Sequence, residues 1–420
     1  MSELSPPGRK GSQSFLQVFK LRDFSLLWVI LVTTGVASWL RILGVAQWLL
    51  DNTNSAWLVG AIGLVQVIVQ TPGLLWAGAL ADRVDRKKLI LFSHAISFGV
   101  LMLLALLEAN GQLSAAVVYV AIAVTALTLV FASPARSALI PIIVPERLLL
   151  PAASIDTASM NAGAIIGPLI FAAVATSLGL EAVFLLGAGL FLLAALVSLA
   201  VRAAGRAMAE GGTELEEGMW RRTRNGITYV KRHPILPGLF LLDIGITVVS
   251  FYRDILPVLA LGLFAGGAAA SGLLGAANST GAIIGSLVAI VFMGFRAKGM
   301  LVIYASLSYG LFLFGFGLST SLWIGLFMIA LVGAADAVTV AVRNTTVMLT
   351  TPDEMRGRAF SLMYLAASGA NNLGTVWVGF CAGLIGAQNT MLLGAVLAIL
   401  ATVLIAMLWR QIRTFRSDEG

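Results

Sequence analysis

The sequence predicts an all-α polytopic membrane protein of twelve transmembrane helices, arranged as two pseudo-symmetric six-helix bundles. Three observations predict it: an apolar excess, twelve apolar runs of spanning length, and a repeat of the first half in the second. Of 420 residues, 59% are hydrophobic and 11% charged. A soluble domain carries roughly 25% charged residues. So few polar groups cannot cover a soluble surface, and the excess apolar surface needs lipid as its solvent.

A helix needs about 20 apolar residues to cross the hydrocarbon core. Runs of that kind lie near 25–50, 55–80, 87–108, 114–135, 151–177, 180–203, 236–262, 268–294, 299–318, 321–345, 359–382 and 388–410. The polar stretch 204–235 divides them into six and six. The expected organisation is a segment 1–22, a bundle 23–203, a linker 204–235, a bundle 236–411 and a tail 412–420. Residues 1–22 are polar and basic, and the run after them is too long for a cleavable leader.

Charge orients the spans. Of 27 Lys and Arg, 25 fall in the termini, in every second loop or at the helix ends beside those loops, and the other turns hold none. This is a positive-inside pattern. It expects both termini and the linker in the cytoplasm of a bacterial inner-membrane protein. The same pattern accounts for the net charge of +7, so no nucleic-acid partner is expected. The two cations inside spans are Arg41 and Arg253.

A shift of 212 residues brings Ser38-Trp-Leu-Arg41 onto Ser250-Phe-Tyr-Arg253, and Gly60, Gly63 and Gly73 onto Gly272, Gly275 and Gly285. A shift of 207 brings Arg136 and Pro145 onto Arg343 and Pro352, and Gly163 and Gly167 onto Ala370 and Gly374. The halves share one orientation, because six spans return the chain to its starting side. Parallel six-helix repeats are a known transporter architecture.

The second loop reads Gly78-Ala-Leu-Ala-Asp82-Arg83-Val-Asp85-Arg86-Lys87-Lys88. It resembles the cytoplasmic signature of the major facilitator superfamily, G-x-L-x-D-R-x-G-R-K, with Asp85 at the usual second glycine. The equivalent loop Gly294-Phe-Arg296-Ala-Lys298 is degenerate. Gly163-Ala-Ile-Ile-Gly167-Pro168 is similar to part of the superfamily's antiporter signature. Residues 134–147, 225–237 and 352–362 resemble the branch holding siderophore exporters and drug-efflux relatives. The resemblance covers nearly the whole chain. It implies the major facilitator fold, secondary transport, and a latch at Gly78, Asp82, Arg83 and Arg86 that clamps helix ends in one state.

Charge within a span costs roughly 2.5–3.5 kcal/mol on insertion scales, so each such residue is a candidate by default. Arg41 and Arg253 are candidates for substrate binding or gating, with Trp39 and Phe251 as cavity walls. Asn371 and Asn372 are candidates for substrate contact or for bridging helices. Asp243, Asp254 and Asp336 are candidates for proton coupling. Eleven residues separate Asp243 from Asp254, which on one continuous helix puts both on one face. Asp254 is also a candidate partner for Arg253. Asp156, at the start of the fifth run, reads as structural. Gly163, Gly167 and Pro168 shape the fifth helix.

The expected work is proton-coupled export of small amphipathic molecules by alternating access, by a monomer with no cofactor. Import or lysophospholipid flipping on the same scaffold are the alternatives. A membrane enzyme would need a dense polar cluster, and no span has one. His94 and His233 stand in unrelated contexts, which argues against a histidine-built metal site. Cys381 is alone and forms no internal disulfide.

Overall fold

The computed structural model describes residues 17–203 and 219–416, with the backbone alone at 75–83, 219–223, 225 and 293. Ten of the described helices are long and apolar enough to cross a membrane. Two of them, Leu149–Ala200 and Asp353–Leu408, are broken inside by Gly179 (φ 85°) and Gly386 (φ 80°). Glycine alone enters that backbone region without strain, so one residue divides each into two helical arms. Divided there, the ten give twelve stretches, consistent with the twelve runs. The two glycines are 386 − 179 = 207 residues apart, the second repeat offset.

The helices are labelled in order: α1 (Arg22–Thr53), α2 (Ala56–Arg83), α3 (Arg86–Ala109), α4 (Ala115–Ser137), α5 and α6 (the arms of Leu149–Ala200), α7 (Met219–Arg232), α8 (Leu236–Ser250), α9 (Leu256–Phe264), α10 (Ala268–Val291), α11 (Lys298–Gly317), α12 (Leu322–Thr350), and α13 and α14 (the arms of Asp353–Leu408). Contacts divide the described chain into two compact units. Residues 17–44 and 69–203 form the first; 45–68 and 219–416 form the second.

In the first unit, α3 packs against α6, with Leu101, Ala188 and Phe191 in one buried cluster. Asp85 is the N-cap of α3 and accepts from the amides of Lys87 (2.9 Å) and Lys88 (3.4 Å). That is the physical reason for an acid where the loop signature has glycine: it satisfies orphan N–H groups and favours the positive helix terminus. Arg86, the described member of the proposed latch, donates to the Ala138 carbonyl at 3.2 Å. The side chains of Gly78, Asp82 and Arg83 lie outside the described residues.

In the second unit, α10 lies against α12 with no room for a side chain between them. A Cβ at Gly281 or Gly285 would overlap the backbone of Ala330 or Ala334. Glycines four apart allow that approach, and membrane helices gain by dispersion and packing there. The end of the linker is the helix α7. Its last turn leads to His233, whose Nδ1 accepts from the amides of Ile235 and Leu236, each at 3.2 Å. These are orphan donors at the start of α8. The other ring nitrogen then carries the proton and donates to the Thr350 carbonyl at the end of α12 (3.2 Å).

Burial holds the His233 imidazole below its ordinary range, against the opposing pull of the Thr350 carbonyl. The folded protein therefore favours the neutral ring. The stabilisation is present above the unfolded value of about 6.5 and is lost as pH falls through the folded one. The expected result is a melting temperature in detergent that falls as pH drops from roughly 7.5 to roughly 5. His233→Gln should remove that component of the pH dependence. An unchanged slope in the variant would show that the cap is not the sensor.

Candidate functional site

The run 236–262 is not one helix. α8 ends at Ser250, Phe251 is extended, a 3-10 turn spans Arg253–Ile255, and α9 restarts at Leu256. Pro257, in the first turn of α9, is the cause. Its ring has no N–H to give and would collide with the carbonyl four residues back. One expectation falls with the continuous helix: Asp243 and Asp254 do not share one helical face.

The break sends Arg253 to α12. Its Nη2 donates to Asp336 Oδ2 at 3.1 Å, and the two side chains keep 38% and 40% of their surface exposed. Both line a cavity of about 190 Å³ inside the second unit, with Asp243 and Thr247 of α8, Phe251, Tyr309 of α11, and Asn371 of α13. A second pair closes the cavity along α12. Arg343 binds Asp243, and these side chains are only 6% and 17% exposed. The cavity thus holds two arginines and two aspartates, one pair accessible and one sealed.

The polar frame around Arg253 is closely satisfied. Tyr309 shares a hydrogen bond of 3.0 Å with Ser250 at the end of α8. Asn278 of α10 donates to the hydroxyl of buried Tyr252 at 2.5 Å. These contacts fix the broken segment from both sides, so the guanidinium is positioned by rigid neighbours.

The remaining candidates separate. Asp254 does not line the cavity; it accepts from the Thr375 hydroxyl at 3.3 Å. Asn371 lines the cavity. Asn372 is buried, and its carbonyl lies where a side chain on Gly63 of α2 would go. Phe251 sits against Gly374, where a Cβ would come within 2.6 Å of the Phe251 Cβ.

In the first unit, Trp39 sits against Gly167 in the same way, also at 2.6 Å. Trp39 lines a cavity of about 370 Å³, together with Arg136 and His94. Gly163 and Pro168 are buried in α5, with Gly163 beside Gly35 of α1. Arg41 is buried, 4% exposed, and lies outside that cavity. Its repeat counterpart Arg253 is far more exposed. Arg136 is held by both oxygens of Asp156, at 2.6 and 3.2 Å, which agrees with a structural Asp156.

Sequence reasoning missed Arg343 as a site residue, placing it at a helix end; α12 continues to Thr350 and buries it. It also missed Tyr309, Ser306 and His94. The match of Arg136 with Arg343 at one repeat offset was the available signal.

The family model of transmembrane secretion effectors matches residues 13–419. A protein of Shigella boydii serotype 4 named enterobactin exporter EntS is 29% identical over 322 residues, covering 73% of this chain and 72% of its own. Its namesake in Citrobacter koseri is 26% identical over 379 residues, covering 87% and 86%. Among solved structures, an auto-inhibited peptide transporter of the POT family superposes with a TM-score of 0.75 at 14% identity, covering 95% of this chain and 99% of that one. A bacterial homologue of the human lysosomal transporter Spinster, inward-facing and occupied, gives 0.70 at 15% identity, covering 98% and 99%. Likenesses this remote in sequence carry the fold alone. Together the family model and the curated relatives put the chain among membrane transporters, not among enzymes.

Proposed function

We propose that this chain, which belongs to the transmembrane secretion effector family of the major facilitator superfamily, is a proton-coupled exporter of small amphipathic molecules. The observation that carries the reading is the accessible Arg253–Asp336 pair in a membrane-embedded cavity. Charge there is costly unless it works or is matched. Arg343–Asp243 is matched and sealed. Arg253–Asp336 is matched and open, so a cargo oxygen can compete for the guanidinium.

That site couples cargo to protons by exclusion. A cargo hydroxyl that accepts from Arg253 and donates to Asp336 binds only while the carboxylate is ionised. On the far side a proton taken up by Asp336 displaces the cargo. Loss of that proton to the cytoplasm restores the ionised pair, so proton and cargo move in opposite directions. Asp243 and Asp254 remain second candidates for the proton, and Asn371 and Phe251 for cargo contact.

Alternating access needs a contact that breaks. Gly60 of α2 lies on Gly379 of α13, and Gly63 lies on Asn372 and Thr375, with no room for a Cβ. We assign this seam as a candidate for that contact, with the latch residues Gly78, Asp82, Arg83 and Arg86 biasing one state. Halves 23–203 and 236–411 would rock as six-helix bodies about the linker 204–235. The cation distribution supports an inner-membrane protein with cytoplasmic termini. A monomer suffices for this architecture.

The relatives named enterobactin exporters support a siderophore as cargo, with a drug-like molecule the alternative. The test uses the full chain in proteoliposomes under an imposed pH gradient. The panel is a catecholate siderophore, a cationic dye, a macrolide and a lysolipid. Gradient-dependent movement of the siderophore or a drug supports the reading. Lysolipid movement that ignores the gradient would replace it with a flippase.

A further inference from the structure

The two cavities are built from the same positions of the repeat. Eleven of the thirteen residues lining the first-unit cavity fall, on shifts of 212 or 207, on residues lining the second. The helices agree: α3 begins at Arg86 and α11 at Lys298, 298 − 86 = 212. The chemistry at equivalent positions differs. Asp243 is replaced by Leu31 and Asp336 by Leu129, so neither acid has a counterpart in the first unit. Phe251 is replaced by Trp39. Arg343 is retained as Arg136, whose charge Asp156 already matches from both oxygens.

One equivalence points to a ligand. His94 and Ser306 occupy the same repeat position, 306 − 94 = 212. Both are buried, 4% and 1% exposed. In both, a polar atom, His94 Nδ1 or Ser306 Oγ, has no hydrogen-bond partner among the described residues. A buried group left unmet costs about 1–3 kcal/mol. The same unmet position in each half marks a feature of the cavities, not an accident of one side chain. The His94 ring is held by stacking on Phe191, at 6.0 Å and 23°.

We propose that the first-unit cavity is a binding subsite for an uncharged planar aromatic ring bearing a hydroxyl, with Trp39 as its wall and His94 as its hydrogen-bond partner. The charge balance of Arg136 with Asp156 leaves no net charge for an ion to match. Leu31, Leu129 and Met160 supply apolar walls. A phenolic hydroxyl both donates and accepts, so it satisfies the imidazole in either tautomer. A volume of about 370 Å³ lies at the lower end of ligand pockets, roughly 300–1,000 Å³, and suits a ring rather than a whole large cargo. The two halves then divide the labour: the second unit handles charge, and the first holds the ring. This goes beyond coupling at Asp336, and its test needs no gradient, so either can fail without the other.

The test is photolabelling of the full chain in nanodiscs with 4-hydroxybenzophenone, followed by peptide mapping. Benzophenones insert preferentially at methionine, and Met160 lines this cavity. The expected adduct is on Met160, suppressed by excess 2-naphthol but not by cyclohexanol or benzylammonium. His94→Ala should weaken labelling about three- to tenfold, the loss of one neutral hydrogen bond. His94→Gln should retain most of it. Adducts confined to other sites, or a Met160 adduct equally suppressed by cyclohexanol, would overturn the proposal. The competition arm uses the unmodified protein, so a variant that fails to fold does not spare the idea.

Discussion

Asp336→Asn should reduce gradient-driven transport to the level of empty liposomes, while exchange of cargo for cargo across the membrane persists. The substitution is nearly isosteric. An amide oxygen can still accept from Arg253 Nη2, which now lies 3.1 Å from Asp336 Oδ2. An amide cannot carry a proton between the two sides. Coupling is lost, and the cavity and its rocking are kept. Asp254→Asn should leave coupling intact, because that carboxylate is engaged by Thr375 outside the cavity. Asp243→Asn should act chiefly on stability. The measurement is uptake by proteoliposomes with and without a pH gradient, beside counterflow without one. Gradient-driven movement surviving in Asp336→Asn, or vanishing in Asp254→Asn, would move the proton site away from Arg253.

Much of the frame was legible in the sequence because lipid imposes simple rules. Apolar runs of spanning length are a direct consequence of insertion energetics. The repeat was visible because glycines and arginines recur at nearly constant offsets. The breaks at Gly179 and Gly386 then fell on one of those offsets. The site was less legible, since it depends on one local backbone event. Pro257 stood in the sequence, yet a proline within an apolar run is compatible with a kinked continuous helix. The structure breaks the helix before it, and this brings Arg253 to Asp336, 83 residues away. Arg343 was misplaced for a related reason. Its span was ended by polarity near 345, whereas α12 runs on to Thr350 and seals the guanidinium against Asp243. Partners across a bundle follow from packing, which no periodicity encodes.

The largest stability effect is expected at that sealed pair. Removing one partner of a buried ion pair leaves an uncompensated charge and costs about 3–5 kcal/mol, whereas replacing both by apolar groups is often neutral. Arg343 and Asp243 meet the condition, at 6% and 17% exposed. Arg343→Leu and Asp243→Leu should each lower unfolding free energy in detergent by roughly that amount. The double variant should recover most of the loss, a coupling energy of several kcal/mol in a double-mutant cycle. The same cycle at Arg253 and Asp336 should give a smaller coupling energy, because that pair is 38% and 40% exposed to the cavity. The contrast separates structure from work. A weakly coupled Arg253–Asp336 pair exchanges partners with cargo at little cost to the fold, and a strongly coupled Arg343–Asp243 pair cannot. Equal coupling energies at both pairs would remove the reason for placing the proton at Asp336, since neither pair would then be free to open.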